Sequence, residues 1–246
     1  MSNIYLSVVI PAYNEDSRIS STLVKIREYL DRQDYSSEII VVSDGCTDLT
    51  DQKAAESLKN WPNFRLLCRS ENKGKGYTVK EGILNSQGSL LLFTDADLST
   101  PIEELEKFIP WADEFDVLIG SRALPESVIQ VRQSLFREYM GKTFNLLVRL
   151  LIFRGIKDTQ CGFKLFHRRA ALDIFHRIKL VGFGFDVEVL YVSRKLGYRI
   201  KQLPIVWRNS PNSQVHLFSS SVGMLWDLFR IRYLHRTLKK RKNLHV

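Results

Sequence analysis

Short apolar runs alternate with amphipathic stretches through the first half of the chain. Leu6–Ile10, Glu38–Ser43, Phe64–Cys68, Ser89–Thr94 and Asp116–Gly120 have the length and composition of strands. Leu90 to Phe93 carries no polar position, the pattern of a strand buried on both faces in a parallel sheet. Between these runs, Arg18–Leu30, Thr47–Leu58, Gly76–Leu84 and Pro101–Phe108 show helical spacing. Thr100-Pro101-Ile102-Glu103 reads as a helix start, with a threonine cap, proline in the first position and glutamate three residues after the cap. This rhythm predicts an α/β fold whose mostly parallel central sheet is covered by helices on both faces.

The second half changes character. Leu135–Phe153 is a long helical pattern, and a polar loop, Lys157–Gly162, follows it. Phe163–Phe166 and a helix from Ala170 come next, then helical Phe185–Leu196 and strand-like Tyr198–Trp207. Val222–Leu238 is apolar nearly all round, with Arg230, Arg232 and Arg236 set among Trp226, Phe229 and Tyr233, and it runs into Lys239-Lys240-Arg241-Lys242. A helix apolar on every side is usually buried. Aromatic residues interleaved with arginine also suit a bilayer interface with anionic headgroups. No repeat or Gly/Ser linker interrupts the chain. The expected organisation is one domain over residues 1–210 and a basic, apolar helical tail over 211–246 that associates with a membrane.

Composition alters this picture in one respect. Hydrophobic content of 44% and charged content of 26% describe an ordinary globular chain, but 36 Lys+Arg against 27 Asp+Glu leave a net charge of +9. That excess calls for an anionic partner. Nucleic acid is set aside, because no RNA-binding signature and no interleaved basic and aromatic strands occur. Cys46, Cys68 and Cys161 are widely spaced, without zinc-type or disulfide patterning, so a reducing compartment is expected. No run reaches the roughly 18 uncharged apolar residues of a spanning helix, and the first residues lack the basic region of a signal peptide. The expected location is cytoplasmic, peripheral to the cytoplasmic face of a membrane.

Thr94-Asp95-Ala96-Asp97 closes the buried run Ser89–Phe93. Two carboxylates one residue apart at such a strand end project into the crevice where open α/β sheets bind ligands. There they repel each other unless a cation lies between them. Hard oxygen ligands suit Mg²⁺ or Mn²⁺, whose shell is usually completed by substrate phosphates. Three further loops end strands on the same side: Pro11-Ala12-Tyr13-Asn14-Glu15, Asp44-Gly45-Cys46-Thr47-Asp48 and Asn72-Lys73-Gly74-Lys75-Gly76. Gly45 permits a tight turn, and Thr47 or Asp48 can cap the next helix. Convergent carboxylates, a tyrosine, lysines and glycines suit a nucleoside diphosphate. No GxGxxG follows the first strand and no GxxxxGK[ST] occurs, which argues against a dinucleotide-binding oxidoreductase and a P-loop kinase.

Together with Gly120-Ser121-Arg122, Asp158-Thr159-Gln160-Cys161-Gly162-Phe163-Lys164 and Phe185-Asp186-Val187-Glu188, these loops resemble, in order and spacing, the family 2 glycosyltransferases of GT-A fold. The resemblance covers roughly residues 5 to 210. Within that family the chain is similar to the polyprenyl-phosphate hexosyltransferases, and the Asp158–Lys164 string most resembles the dolichyl-phosphate β-glucosyltransferases. The resemblance implies that Pro11, Tyr13, Glu15, Asp44, Lys75, Asp95, Ala96 and Arg122 bind the nucleotide-sugar, Asp44 at the base. It implies that Asp95 and Asp97 hold Mg²⁺ or Mn²⁺. It assigns Arg132, Arg137 and Arg208 to the acceptor phosphate, and Arg122, Asp158, Asp186 and Arg208 to catalysis.

The implied reaction is an inverting transfer of glucose from UDP-glucose, or another nucleotide-sugar, to a polyprenyl phosphate at the membrane surface. A sugar hydroxyl needs a general base, whereas a phosphate monoester with a second pKa near 6 is already largely anionic. Its difficulty is repulsion from the donor diphosphate, which arginines and a divalent ion relieve. Asp158 and Asp186 are the candidates for orienting the acceptor or acting as base. Three alternatives stay open: a GDP-mannose mannosyltransferase, transfer to a glycan hydroxyl with Asp186 as base, and a non-catalytic nucleotide-sugar-binding module.

Overall fold

The computed structural model describes residues 4–131, 141, 143, 145–148, 151, 152, 155–209 and 217–240; residues 217–222 and 224 are described as backbone alone. The strands are β1 (Leu6–Ala12), β2 (Ser37–Asp44), β3 (Phe64–Arg69), β4 (Leu90–Thr94), β5 (Val117–Ser121), β6 (Val128–Val131), β7 (Phe163–His167), β8 (Ile200–Pro204) and β9 (Val206–Arg208). The helices are α1 (Ile19–Leu30), α2 (Thr50–Ser57), α3 (Lys75–Asn85), α4 (Arg168–Arg177), α5 (Phe185–Leu196) and α6 (Leu217–Leu234). Seven strands form the main sheet in the order β3-β2-β1-β4-β7-β5-β8, and β6 pairs with β9 in a small second sheet. β3, β2, β1 and β4 run parallel, as do β5 and β8, while β7 lies antiparallel between β4 and β5. The sheet is thus mostly parallel, with one reversed strand.

Alternation along the strands divides the core into two layers. Leu6, Val8 and Ile10 pack with Ile39, Val41 and Leu92 against Ile19, Leu23 and Ile26 of α1. Val9, Leu91 and Phe93 point the other way, against Val79 and Ile83 of α3 and Ile174 and Phe175 of α4. Both faces of the central strands are covered, which is why those segments are apolar without alternation.

Three expectations are corrected. Pro101–Phe108 is not an α-helix but a 3₁₀ turn at Ile102–Lys107, followed by a second at Ile109–Trp111. Pro101 has extended backbone, no side chain caps the turn, and Pro110 lacks the N–H that a longer helix requires. Tyr198–Trp207 is two strands, because β8 pairs with β5 whereas β9 leaves to pair with β6. The tail helix α6 is not apolar all round in its environment. Leu228 and Ile231 are buried in the second core layer, whereas Trp226 (68% exposed), Phe229 (57%) and Tyr233 (66%) face outward. Burying Leu228 and Ile231 stabilises the docked helix by about 1.5–3 kcal/mol each. The long helix expected over Leu135–Phe153 lies largely outside the described residues; within it, residues 145–148 are helical and Val148 is buried. No helix among the described residues is long and apolar enough to cross a membrane.

Candidate active site

The ends of β1, β2 and β4 open into one cleft of about 300 Å³. Pro11, Ala12, Tyr13, Glu15, Asp44, Lys75, Asp95, Ala96 and Asp97 line it, so the four sequence motifs converge as the parallel sheet requires. Arg18, Asn72, Gly74, Thr78 and Phe183 line it too.

The Asp95–Asp97 segment is a tight turn. Leu98 N–H donates to Asp95 O (3.2 Å), Ser99 N–H donates to Asp97 Oδ1 (2.9 Å), and Leu98 takes a left-handed φ of 44°. A bulky residue in that conformation costs about 1–3 kcal/mol, so the surroundings must impose it. They do so from two sides: Thr22 Oγ1 of α1 donates to Ala96 O (2.7 Å), and Asp95 N–H donates to Gly162 O (3.2 Å). Gly162 sits so close that a β-carbon there would lie 1.8 Å from Asp95 Oδ2. Only glycine fits.

The first two loops lock together. Asn14, at φ 52°, accepts from Thr47 N–H through Oδ1 (2.9 Å), and Glu15 N–H donates to Thr50 Oγ1 (2.7 Å). Asp48 accepts from Thr50 N–H (3.0 Å), so it holds the start of α2. Asp44, assigned by resemblance to the base, is buried, and both its oxygens are engaged. It accepts from the N–H groups of Lys73 (2.8 Å) and Gly74 (2.9 Å) and from Arg69 Nη2 (2.5 Å). The carboxylate therefore shapes the Asn72–Gly76 loop. That loop delivers Lys75, whose Nζ lies 2.7 Å from Asp95 Oδ1 and near the rings of Phe93 and Phe183.

Three of the other catalytic candidates lie in ion pairs whose carboxylates are buried. Arg122 grips Asp158 in two parallel bonds, Nε to Oδ2 at 2.7 Å and Nη2 to Oδ1 at 2.9 Å, and its backbone N–H adds a third. Burial alone would raise Asp158, but Arg122 holds it below the usual carboxylate range, and the same pair raises Arg122. Asp186 accepts from Lys164 Nζ (2.5 Å), which also donates to Cys161 O (2.6 Å). Burial pushes Asp186 upward against the pull of Lys164 and Lys75. Arg208, on β9, bonds Gln130, and its backbone N–H donates to Ser99 O (2.7 Å), which ties β9 to the Asp97 turn. Arg208 lies beside the cleft and does not line it. Arg132 and Arg137 lie outside the described residues.

Glu15, Asp95 and Asp97 concentrate negative charge. Burial raises Asp97, and Asp95 adds to the rise. Burial raises Glu15 too; its ion pair with Arg18 offsets part of the shift, while Asp97 and Asp95 reinforce it. Burial opposes the charge of Lys75, but Asp95, Asp186 and Asp97 outweigh it and hold the ammonium above its ordinary pKa. No group of three His, Cys, Asp or Glu among the described residues has metal-binding geometry. Two hard carboxylates whose mutual repulsion a cation would relieve nevertheless fit a divalent ion that takes its remaining ligands from phosphate. Reading the sequence missed Arg18, Arg69, Lys164 and Phe183. The available signal was their spacing from the motifs: Arg18 three residues after Glu15, and Lys164 two after Gly162.

The sequence matches the family described as Glycosyl transferase family 2 over residues 7–175. It is 37% identical over 246 residues to a dolichyl-phosphate β-glucosyltransferase of Dictyostelium discoideum, covering 95% of this chain and 75% of that protein. It is 37% identical over 249 residues to the dolichyl-phosphate β-glucosyltransferase of Saccharomyces cerevisiae, covering 93% and 74%. Among solved structures, it is similar in fold to glucosyl-3-phosphoglycerate synthase of Mycobacterium tuberculosis in complex with Mn²⁺, UDP and phosphoglyceric acid. That match has a TM-score of 0.67 and 18% identity, over 99% of this chain and 82% of the other. The same synthase with Mg²⁺ and UDP gives a TM-score of 0.65 at 18% identity, over 99% and 83%. The fold is GT-A-like.

Proposed function

The chain belongs to glycosyl transferase family 2, and from that premise we propose that it transfers glucose from UDP-glucose to a polyprenyl phosphate, with inversion, at the cytoplasmic face of a membrane. The observation that carries this reading is the condition of the two carboxylates nominated as base. Arg122 lowers the basicity of Asp158, and Lys164 already occupies Asp186 Oδ1, so both carboxylates are engaged in ion pairs and not open to a sugar hydroxyl. A phosphate acceptor needs no base, being already largely ionised at neutral pH. It needs cations, and beside the cleft the chain supplies Arg122, paired with Asp158 and within electrostatic reach of Asp95, and Arg208. Arg132 and Arg137 complete the arginine set that the family resemblance implies. The names of the two curated relatives point to the same acceptor class.

On the donor side, Pro11 and Tyr13 flank the cleft, Asp44 sets the shape of the Asn72–Gly76 loop, and Lys75 brings an ammonium to the diphosphate position. Asp95 and Asp97 would hold the divalent ion, Mg²⁺ or Mn²⁺, which when bound neutralises charge on the leaving diphosphate. The outward face of α6, with Trp226, Phe229 and Tyr233 among arginines, supports a membrane-facing tail. Beside it, Tyr191, Arg194, Lys195 and Arg232 line a basic cavity suited to anionic headgroups.

The test supplies purified protein with labelled UDP-glucose or GDP-mannose, polyprenyl phosphate in vesicles, and Mn²⁺ or Mg²⁺. The expected outcome is a β-linked, organic-extractable product from UDP-glucose that EDTA abolishes. Label passing only from GDP-mannose would replace the donor. Label recovered only on a soluble glycan would replace the acceptor, and would make Asp186 a base despite its ion pair.

A further inference from the structure

Residues 178–184 connect α4 to α5, and their backbone is held from two sides. On the donor side, Val181 O accepts from the N–H groups of Gly76 (2.7 Å) and Tyr77 (3.3 Å), two of the donors that the first turn of α3 leaves without helical partners. Lys80 of α3 donates to Ile178 O (2.9 Å). Phe183 lines the cleft, with Lys75 Nζ 5.9 Å from its ring centre. On the other side stands Glu188, wholly buried on α5. Its oxygens accept from Lys179 N–H (2.9 and 3.0 Å) and Leu180 N–H (2.8 Å). A further partner is His235 Nε2, 2.7 Å from Oε1, one residue beyond α6. Asp227 of α6 packs against Gly184 so closely that a β-carbon there would lie 2.5 Å from its Oδ2.

We propose that residues 178–184 form a strap through which the tail helix positions the donor loop, with Glu188 and His235 as positioning residues. A buried carboxylate is costly when a donor is removed, because nothing else in the dry site replaces it. Without His235, Glu188 turns or draws in water, and its hold on Lys179 and Leu180 loosens. Leu180 is covalently next to Val181, whose carbonyl caps the helix that begins with Lys75. A small shift there moves the ammonium that faces Asp95, and small misplacements at a reacting centre cost much rate. On this view α6 has two jobs on two faces: aromatic residues outward, and the strap inward. The inference rests on reading the cleft as the donor site, but its first test needs no donor.

That test is amide hydrogen exchange on the free protein. In His235→Ala, the amides of Lys179, Leu180, Gly76 and Tyr77 are expected to exchange about tenfold faster, in line with one lost hydrogen bond to a charged group. Ile231→Ala, which removes packing from the same helix without touching Glu188, leaves those four amides unchanged relative to the core. His235→Gln, which keeps a donor, restores protection to within about threefold. Glu188→Gln serves in place of His235→Ala should that variant fail to fold, with the same pattern expected. Calorimetry with UDP and Mn²⁺ is the second readout: about tenfold weaker binding in His235→Ala, and wild-type binding in Ile231→Ala. Unchanged exchange at Gly76 and Tyr77, or equal acceleration in Ile231→Ala, overturns the strap. Failure of the wild type to bind UDP overturns the donor reading alone, and the exchange data still decide the strap.

Discussion

The donor wall of the cleft, built on β1, β2 and β4, and the opposite wall beside it, built on residues 120–122 and 155–208 and reaching the cleft through Phe183, are held by different forces. The donor wall is a set of turns after strands buried on both faces. Its loops are joined by hydrogen bonds such as Asn14–Thr47, Glu15–Thr50 and Asp44–Gly74; Glu15, Asp44 and Asp95 pair with Arg18, Arg69 and Lys75, but Asp97 sits against the like charge of Asp95. The opposite wall is fixed by ion pairs taken out of water, Arg122–Asp158 and Lys164–Asp186, with Glu188–His235 behind them. The difference teaches where each wall keeps its reactivity. Charge left uncompensated on the donor side is available to a ligand, whereas charge on the other side is spent on placing backbone and arginine.

The largest effect expected from this contrast is on turnover. Asp97→Ala should reduce it by about 10³-fold, on the order of 4 kcal/mol of transition-state stabilisation, with the folded state retained, because the side-chain hydrogen bond it removes, to Ser99 N–H, is local to one turn. Steady-state rates beside a thermal melt check this. An active variant would show that the donor wall's charge is structural after all.

Arg122→Ala should instead act on stability. It leaves Asp158 buried without its partner, a loss of about 3 kcal/mol or more, which for a chain of this size lowers Tm by about 10 °C. The acid limb moves as well. Because Arg122 depresses the folded pKa of Asp158, that carboxylate contributes stability above its ordinary value near 3.9, lost only as pH falls through the depressed folded value. In Arg122→Ala the loss should begin at higher pH. Denaturant melts across pH 3 to 7 check both points. A cost of only about 0.5 kcal/mol, that of an ordinary surface change, would erase the distinction between the walls.

The smallest effect on stability is expected outside both walls. Trp226→Ser with Phe229→Ser should change stability by no more than about 0.5 kcal/mol, because both side chains face outward. The same double variant should co-sediment with anionic vesicles clearly less than the wild type. Undiminished vesicle binding would remove the aromatic face of α6 from the membrane surface.

The donor wall was legible in advance because its signals are local. Leu90–Thr94 is a strand that periodicity finds, Gly45 and Gly74 mark turns at positive φ, and Asp95 and Asp97 follow a strand end. The other wall was only half legible. Asp158, Asp186, Arg122 and Arg208 carry roles in the sequence reading, but their mutual pairing does not appear there, and neither Lys164 nor Arg69 is given a role. In one dimension a buried lysine looks like a solvated one. Lys164 is 1% exposed because β7 lies inside the sheet, between β4 and β5, and the side chain meets Asp186 at the start of α5.

By itself the sequence determined the layered α/β architecture, the chain direction of the first four strands, and the carboxylates at their ends. Each of these follows from neighbours in sequence: apolar runs, turn residues and caps act over a few positions. Tertiary structure alone decided the reversed strand β7, the split between β8 and β9, and the pairing of buried charges. It also decided the inward grip of α6 on residues 178–184. These depend on contacts between residues far apart in the chain, such as His235 with Glu188 and Arg122 with Asp158. Which charge meets which is settled only when the packed core removes water and leaves each buried group the partners within reach.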